Sequence, residues 1–176
     1  MQENFIQKLS SLPVSVRIIL LGLVYWLFCW AGTLTFYKDF GVAIYWPAAG
    51  IAIAGIFYLG RESSAGIFIA SIFINFFIYR NALESNFVLI SGIIIISAGN
   101  TLGALMGSRC LELRVLKNKR AFFRLDSILS FLLFVAFIPS VITSVTGGLT
   151  TYFAGIIPDF FEKAHSWLLA DIIGVL

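Results

Sequence analysis

Charge is what this chain has least of. Acidic and basic residues make up 12% of its 176 residues, about half the share of an ordinary soluble domain, while 60% are hydrophobic and 16% aromatic. No water-soluble core of this length hides so much apolar surface, so the bilayer is the first partner to consider. A net charge of +3 invites a nucleic-acid reading, but the basic residues sit in short connections between apolar blocks, where membrane topology explains them better. Cysteine is nearly absent as well. Cys29 and Cys110 show neither disulfide nor metal spacing, which leaves them as packing residues. The single histidine, His165, has Asp159 and Glu162 nearby, too few ligands for a divalent metal. No nucleophile stands beside a histidine base, no carboxylates are paired at a shared site, and no phosphate loop or cofactor motif occurs. The sequence therefore offers no catalytic, cofactor or metal residues, and no enzyme.

What is present is a series of long apolar blocks, to be set against the rule that about 20 residues cross a bilayer. They run over about 18–37, 42–60, 64–79, 86–108 and 128–155, with a sixth segment, 165–176, that is incomplete. Residues 1–16 precede them as a cytoplasmic segment, and 17–176 form one membrane-embedded domain. The expected fold is an all-α, polytopic helical bundle of about five complete spans plus part of a sixth. The first block is nearer 20 residues than the 7–15 of a signal-peptide core, and no small-x-small cleavage site follows it, so it is a retained helix.

Orientation follows from basic residues. With the N-terminus inside, the inner side holds Lys8, Arg17, Arg61, Arg109, Arg114, Lys117, Lys119, Arg120 and Arg124, and the outer side Lys38, Arg80 and Lys163. Nine against three places the N-terminus in the cytoplasm. The acidic residues divide evenly, four per side plus Asp171.

Tyr45-Trp46-Pro47-Ala48-Ala49-Gly50 puts a proline and a tryptophan at the start of the second block. Proline is tolerated in the first helical turn and tryptophan favours the lipid–water boundary, so the pair marks where a membrane helix begins. The small residues after it, Gly50 among them, allow close helix approach. Gly99, Gly103 and Gly107, spaced by four, form one stripe of the fourth block. Asn100 and Thr101 lie beside that stripe, and Asn75 lies near the outer end of the third block. Each serves either as an interhelical hydrogen-bonding group or as a ligand contact. Asp171, eight residues past Lys163, sits about 12 Å along a helix, and an ionisable group inside a membrane is a functional candidate by default. Its structural alternative is a hydrogen bond to Asn100, Thr101 or a hydroxyl of the fifth block. That block carries Pro139, then Ser140, Thr143, Ser144 and Thr146, the makings of a kinked helix whose hydroxyls satisfy freed backbone groups or line a cavity.

The order Trp46-Pro47-Ala48-Ala49-Gly50, Gly60-Arg61, Gly99-Asn100-Thr101-Leu102-Gly103-Ala104, then Trp167, Asp171 and Gly174, resembles the first class of membrane-associated sensor domains, the MASE family, over about residues 41–176. In that family a tryptophan pair commonly precedes Gly-Asp; here Ser166 and Ala170 replace one tryptophan and the glycine. The resemblance implies an integral-membrane sensory module of bacterial signal transduction, in the inner membrane, of the kind that precedes histidine kinases or cyclic-di-GMP enzymes. The implied partners are an unidentified small-molecule or membrane-state stimulus and a cytoplasmic output domain, kinase or cyclase, with self-association as a homodimer left open. Because the chain ends at Leu176, before the family's last helices and any output domain, the resemblance implies a fragment or a stand-alone sensor. Trp46, Pro47, Asn75, Asn100, Thr101, Trp167 and Asp171 are the expected polar core or ligand pocket. A different class, the small substrate-binding membrane subunit of a vitamin-uptake transporter, is the alternative, and co-purification with an ATPase pair would favour it.

Overall fold

The computed structural model describes residues 9, 11–37, 42–83, 86–115 and 124–176. The basic residues Lys8, Lys38, Lys117, Lys119 and Arg120 lie outside that set, as do Asp39 and Glu84. Helix α1 spans Val14–Thr33 and is followed by a two-residue antiparallel pair, β1 (Phe36–Tyr37) with β2 (Val42–Ala43). Helix α2 is Ala48–Leu59, and α3 is Ser64–Ile78, entered through a 3₁₀ turn at Arg61–Ser63. Helix α4 runs Phe87–Val115, α5 runs Leu125–Phe153 and α6 runs Phe160–Val175.

Large apolar side chains cover the outside of the bundle, and polar ones lie within it beside an apolar core. Leu23 (63% exposed), Phe73 (65%) and Phe87 (80%) face outward, whereas Ser71, Ser97, Ser140, Thr151 and Asp171 are buried. Water would penalise that surface at roughly 25 cal/mol per Å²; hydrocarbon does not. The chain is a multi-pass, all-helical membrane protein. Among the described residues, four helices, α1, α3 with its 3₁₀ turn, α4 and α5, have the length and apolarity of a membrane span.

The second apolar block is helical over only part of its length. Its first third is not helical: Val42–Ala43 pair with β1, Ile44 N–H bonds the Thr35 carbonyl at 3.3 Å, and the helix begins only at Ala48. Twelve residues give a helix of about 18 Å, short of the ~30 Å hydrocarbon core. The reason is local: Pro47 has no N–H to give and biases Trp46 toward extended backbone. The short helix occupies the middle of the bundle, packed on α1, α4 and α6. Small residues make this approach possible. A Cβ on Gly50 would lie 2.5 Å from the Gly174 carbonyl oxygen, and one on Gly55 would meet the Leu21 side chain. Gly60 then ends the helix at φ +88°, a conformation that other residues rarely adopt.

Helix α5 is wound wide over Phe131–Phe137, just before Pro139. Proline has no N–H for the preceding turn and its ring crowds the carbonyl there; the next residue, Ser140, donates its hydroxyl to the Ala136 carbonyl of the same turn at 2.7 Å. Helix α4 lies along α5 and presents its glycines to it: a Cβ on Gly103 would lie 3.0 Å from the Pro139 carbonyl oxygen, and one on Gly99 would meet the Thr146 side chain. Gly107 faces both Ile53 of α2, at 2.7 Å, and Pro139.

A large residue at the centre of this stripe has nowhere to go. Gly103→Leu should cost about 1–3 kcal/mol or more of bundle stability, read as a lower yield of monodisperse protein in detergent and a lower thermal midpoint. Wild-type yield and midpoint would place Gly103 away from α5.

Candidate functional site

Five elements and the link before α2 converge on one polar cavity. Its wall is made by Tyr25 of α1, Trp46, Ala49 and Ile53 at the start of α2, Asn100 and Gly103 of α4, Ser140 and Thr143 of α5, and Asp171 of α6. The space is small, about 20 Å³ for the centre of a water-sized sphere. That admits about one water molecule and falls far below the ~300 Å³ of even a small organic-ligand pocket.

Asp171 is 2% exposed. Its Oδ2 shares a hydrogen bond with the Thr143 hydroxyl, and its Oδ1 has no hydrogen-bond partner. Of the partners considered for Asp171 from sequence, the structure selects a hydroxyl of the fifth block. Asn100 shares the cavity but gives its amide N–H to the Ser71 hydroxyl at 2.9 Å. Asn75, also buried, donates to the Ser71 carbonyl at 2.8 Å and to its hydroxyl at 3.3 Å. The Tyr25 side chain interacts with both Ser71 and Cys29. A connected polar cluster therefore runs from α3 through α1 and α4, and meets the Asp171–Thr143 pair across the cavity.

Trp46 is half-buried, packed between the end of α1 and α6. Its N–H bonds the Ala170 carbonyl at 3.1 Å, and its ring packs on Gly32, where an added Cβ would be 2.6 Å away. Pro47 is buried beside it but does not line the cavity. Thr101 bonds the Ser97 carbonyl of its own helix at 2.7 Å, and Trp167 packs on Gly147 of α5, so neither reaches the cavity. Cys29, expected as a packing residue, is fully buried beside Tyr25. Asp159 caps α6, its Oδ1 accepting from the N–H groups of Phe161 at 2.7 Å and Glu162 at 3.2 Å. Among the described residues no three potential metal ligands come together.

Tyr25, Ser71, Ser140 and Thr143 were not among the residues singled out for the pocket. Two signals were available in the sequence. Ser71 and Asn75 are four apart and therefore share a helix face, and Thr143 is four residues past the Pro139 that bends its helix. Tyr25 gives no such signal, since an aromatic residue in an apolar run is ordinarily packing.

Ser71 is the shared acceptor of two amides, that of buried Asn75 and that of part-buried Asn100. Ser71→Ala should destabilise the bundle by about 1–3 kcal/mol, because the Asn100 amide is left without its partner. The loss should disappear when Asn100→Leu is made in the same chain, and thermal unfolding of the four proteins of this double-mutant cycle measures it. Additive losses would mean that the two side chains do not interact.

The family model MASE1, that of a membrane-associated sensor domain, matches residues 14–176, nearly the whole chain. No curated protein and no solved structure matches it. The match spans every described helix, including the interrupted start of α2 and the Asp171 helix on which it rests, and the chain belongs to the MASE1 family of membrane sensor domains.

Proposed function

We propose that this module is the signal-input domain of a bacterial signalling protein, seated in the inner membrane with its N-terminus in the cytoplasm. It acts on a cytoplasmic histidine kinase or cyclic-di-GMP enzyme and has no catalysis of its own. The observation that carries the reading is the convergence of α1, α2, α4, α5 and α6 on a buried carboxylate with one unpaired oxygen. A buried polar group of this kind costs stability unless satisfied. In this reading the bundle has two packings close in energy, and a stimulus that alters the partners of Asp171 shifts the balance between them. Output then follows the helix packing.

The test replaces charge without changing shape. In a fusion carrying a diguanylate cyclase or a kinase, Asp171→Asn should insert at wild-type abundance and shift the resting output by about fivefold or more, the lower end of an ordinary coupling energy. Asp171→Leu should also lose stability, since Thr143 would keep no side-chain partner on α6. Membrane abundance and output are measured together. Unchanged output at normal abundance would return Asp171 to a structural role. Orientation is checked separately: a reporter active only in the cytoplasm should work when inserted after Lys117 and fail after Glu84 or Asp159, and the reverse pattern would invert the topology.

A further inference from the structure

Thr143 has one hydroxyl hydrogen and two acceptors within reach of it. Its Oγ1 lies 2.9 Å from the Ser140 carbonyl and also contacts Oδ2 of Asp171. A hydroxyl is one donor with two acceptor lone pairs, so one hydrogen does not make two full bonds. With Asp171 ionised, Oδ2 would compete with Ser140 for that hydrogen. The unpartnered Oδ1 would then carry charge inside the bundle, with no basic side chain on the cavity wall to balance it. With Asp171 as a carboxylic acid the count closes. The acid O–H on Oδ2 donates to Thr143 Oγ1, and Thr143 donates to Ser140. Oδ1 is then a neutral carbonyl oxygen, far less costly to leave unpaired than a charged one.

We propose that Asp171 is a proton-binding site, and that the ligand class taken by this cavity is the proton rather than an organic molecule. Size supports the same choice, since about 20 Å³ admits no more than about one water. The chemistry stands on geometry alone; its role as a stimulus rests on the sensory reading above. The other titratable groups facing Asp171 are Tyr25 and Cys29, both from α1. The cavity residues of α2, α4 and α5 are neutral and non-titrating, and Lys163 on α6 itself lies about 12 Å toward the start of that helix. When the proton leaves to water, Oδ2 becomes an acceptor and draws the Thr143 hydrogen away from Ser140. That removes a hydroxyl–carbonyl bond just past the Pro139 bend and leaves an ionised group against the start of α2. Both changes favour a different packing of α5 and α6.

Infrared spectroscopy tests this directly. The chain contains four aspartates, Asp39, Asp126, Asp159 and Asp171, so labelling the aspartate side-chain carboxyl with carbon-13 gives a simple spectrum. In nanodiscs of phosphatidylethanolamine and phosphatidylglycerol, the full chain should show one carboxylic-acid C=O band that persists at neutral pH and disappears as the pH is raised. The band should be missing in Asp171→Asn and shifted in frequency, but present, in Thr143→Val, where the acid loses its acceptor. Should Asp171→Asn fail to fold, the shift in Thr143→Val assigns the band. No such band at neutral pH, a band that survives in folded Asp171→Asn, or one unmoved by Thr143→Val would overturn the proposal. The spectrum needs no output domain, which separates the two ideas. A titrating band with an output indifferent to Asp171→Asn would sink the sensory role and keep the proton site. A changed output without the band would do the opposite.

Discussion

Inside hydrocarbon a backbone N–H or carbonyl has no water to turn to, and the structure depends on how that constraint is met at the start of α2. A helix satisfies its own backbone; the extended stretch before Ala48 does not. Its groups find partners within the protein. Trp46 N–H reaches the Ala170 carbonyl, Ile44 N–H reaches Thr35, and the Thr35 hydroxyl reaches the Tyr45 carbonyl at 3.1 Å. For this to happen α6 has to lie almost in contact with the chain at Trp46, and two glycines permit it. A Cβ on Gly174 would collide with the Trp46 carbonyl, and one on Gly50 with the Gly174 carbonyl. The crossing of α2 and α6 is therefore a backbone-to-backbone contact, and the cavity beside Asp171 is what remains above it.

Much of this was legible from residues alone, and the reason is physical. The bilayer imposes length and polarity on each helix, so the expected blocks of α1, α3 and α5 lie within about four residues of the helices, whereas α4 continues past the expected 108 to Val115. The glycine stripe of α4 was legible because spacing by four places residues on one face. What spacing does not carry is the point at which an apolar run stops being helical. Val42 to Pro47 has the hydrophobicity of a span and the conformation of a strand end and link, since Pro47 removes a donor while the partners that make the loss tolerable, Ala170 and Thr35, lie elsewhere in the sequence. For the same reason the partners of Trp46 could not be read from its own stretch of sequence. Its neighbours in space are Gly32 and Asp171, and no property of the local sequence names them.

The candidate site divides along the same line. Asp171 and Asn100 stand out because polarity is rare in such blocks, and rarity is visible in a sequence. The hydroxyls that complete the site are not rare. Serines and threonines on these helices mostly bond a carbonyl three or four residues back, as Ser97, Thr146 and Thr151 do, which is the ordinary way for a hydroxyl to be silent in a membrane helix. Thr143 and Ser71 differ only because another helix presents a carboxyl or an amide to them. Whether a hydroxyl is silent or part of a network is decided by helix packing, which the sequence encodes only through the glycines that let the helices approach.

Helix α2 gains its importance from being short and held at both ends. At its start the Trp46 N–H is tied to α6 one residue before Asp171. At its finish the Arg17 guanidinium of α1 donates to the Leu59 carbonyl, while lying 3.8 Å from Glu62 just beyond Gly60. A 12-residue helix is a stiff rod on this scale, and its middle is pinned by close contacts of Gly55 with Leu21 and of Ile53 with Gly107. Close-packed interiors switch between discrete arrangements rather than deforming gradually. If Asp171 binds and releases a proton as proposed, the change in its charge acts on α6 and α5 first. Through the Ala170–Trp46 bond and the Gly50–Gly174 crossing it acts on α2 next, at whose far end Arg17 of α1 holds the last carbonyl. The feature that sequence patterning made look like an ordinary second span is thus the part of the fold that joins the buried carboxyl to the opposite end of the bundle.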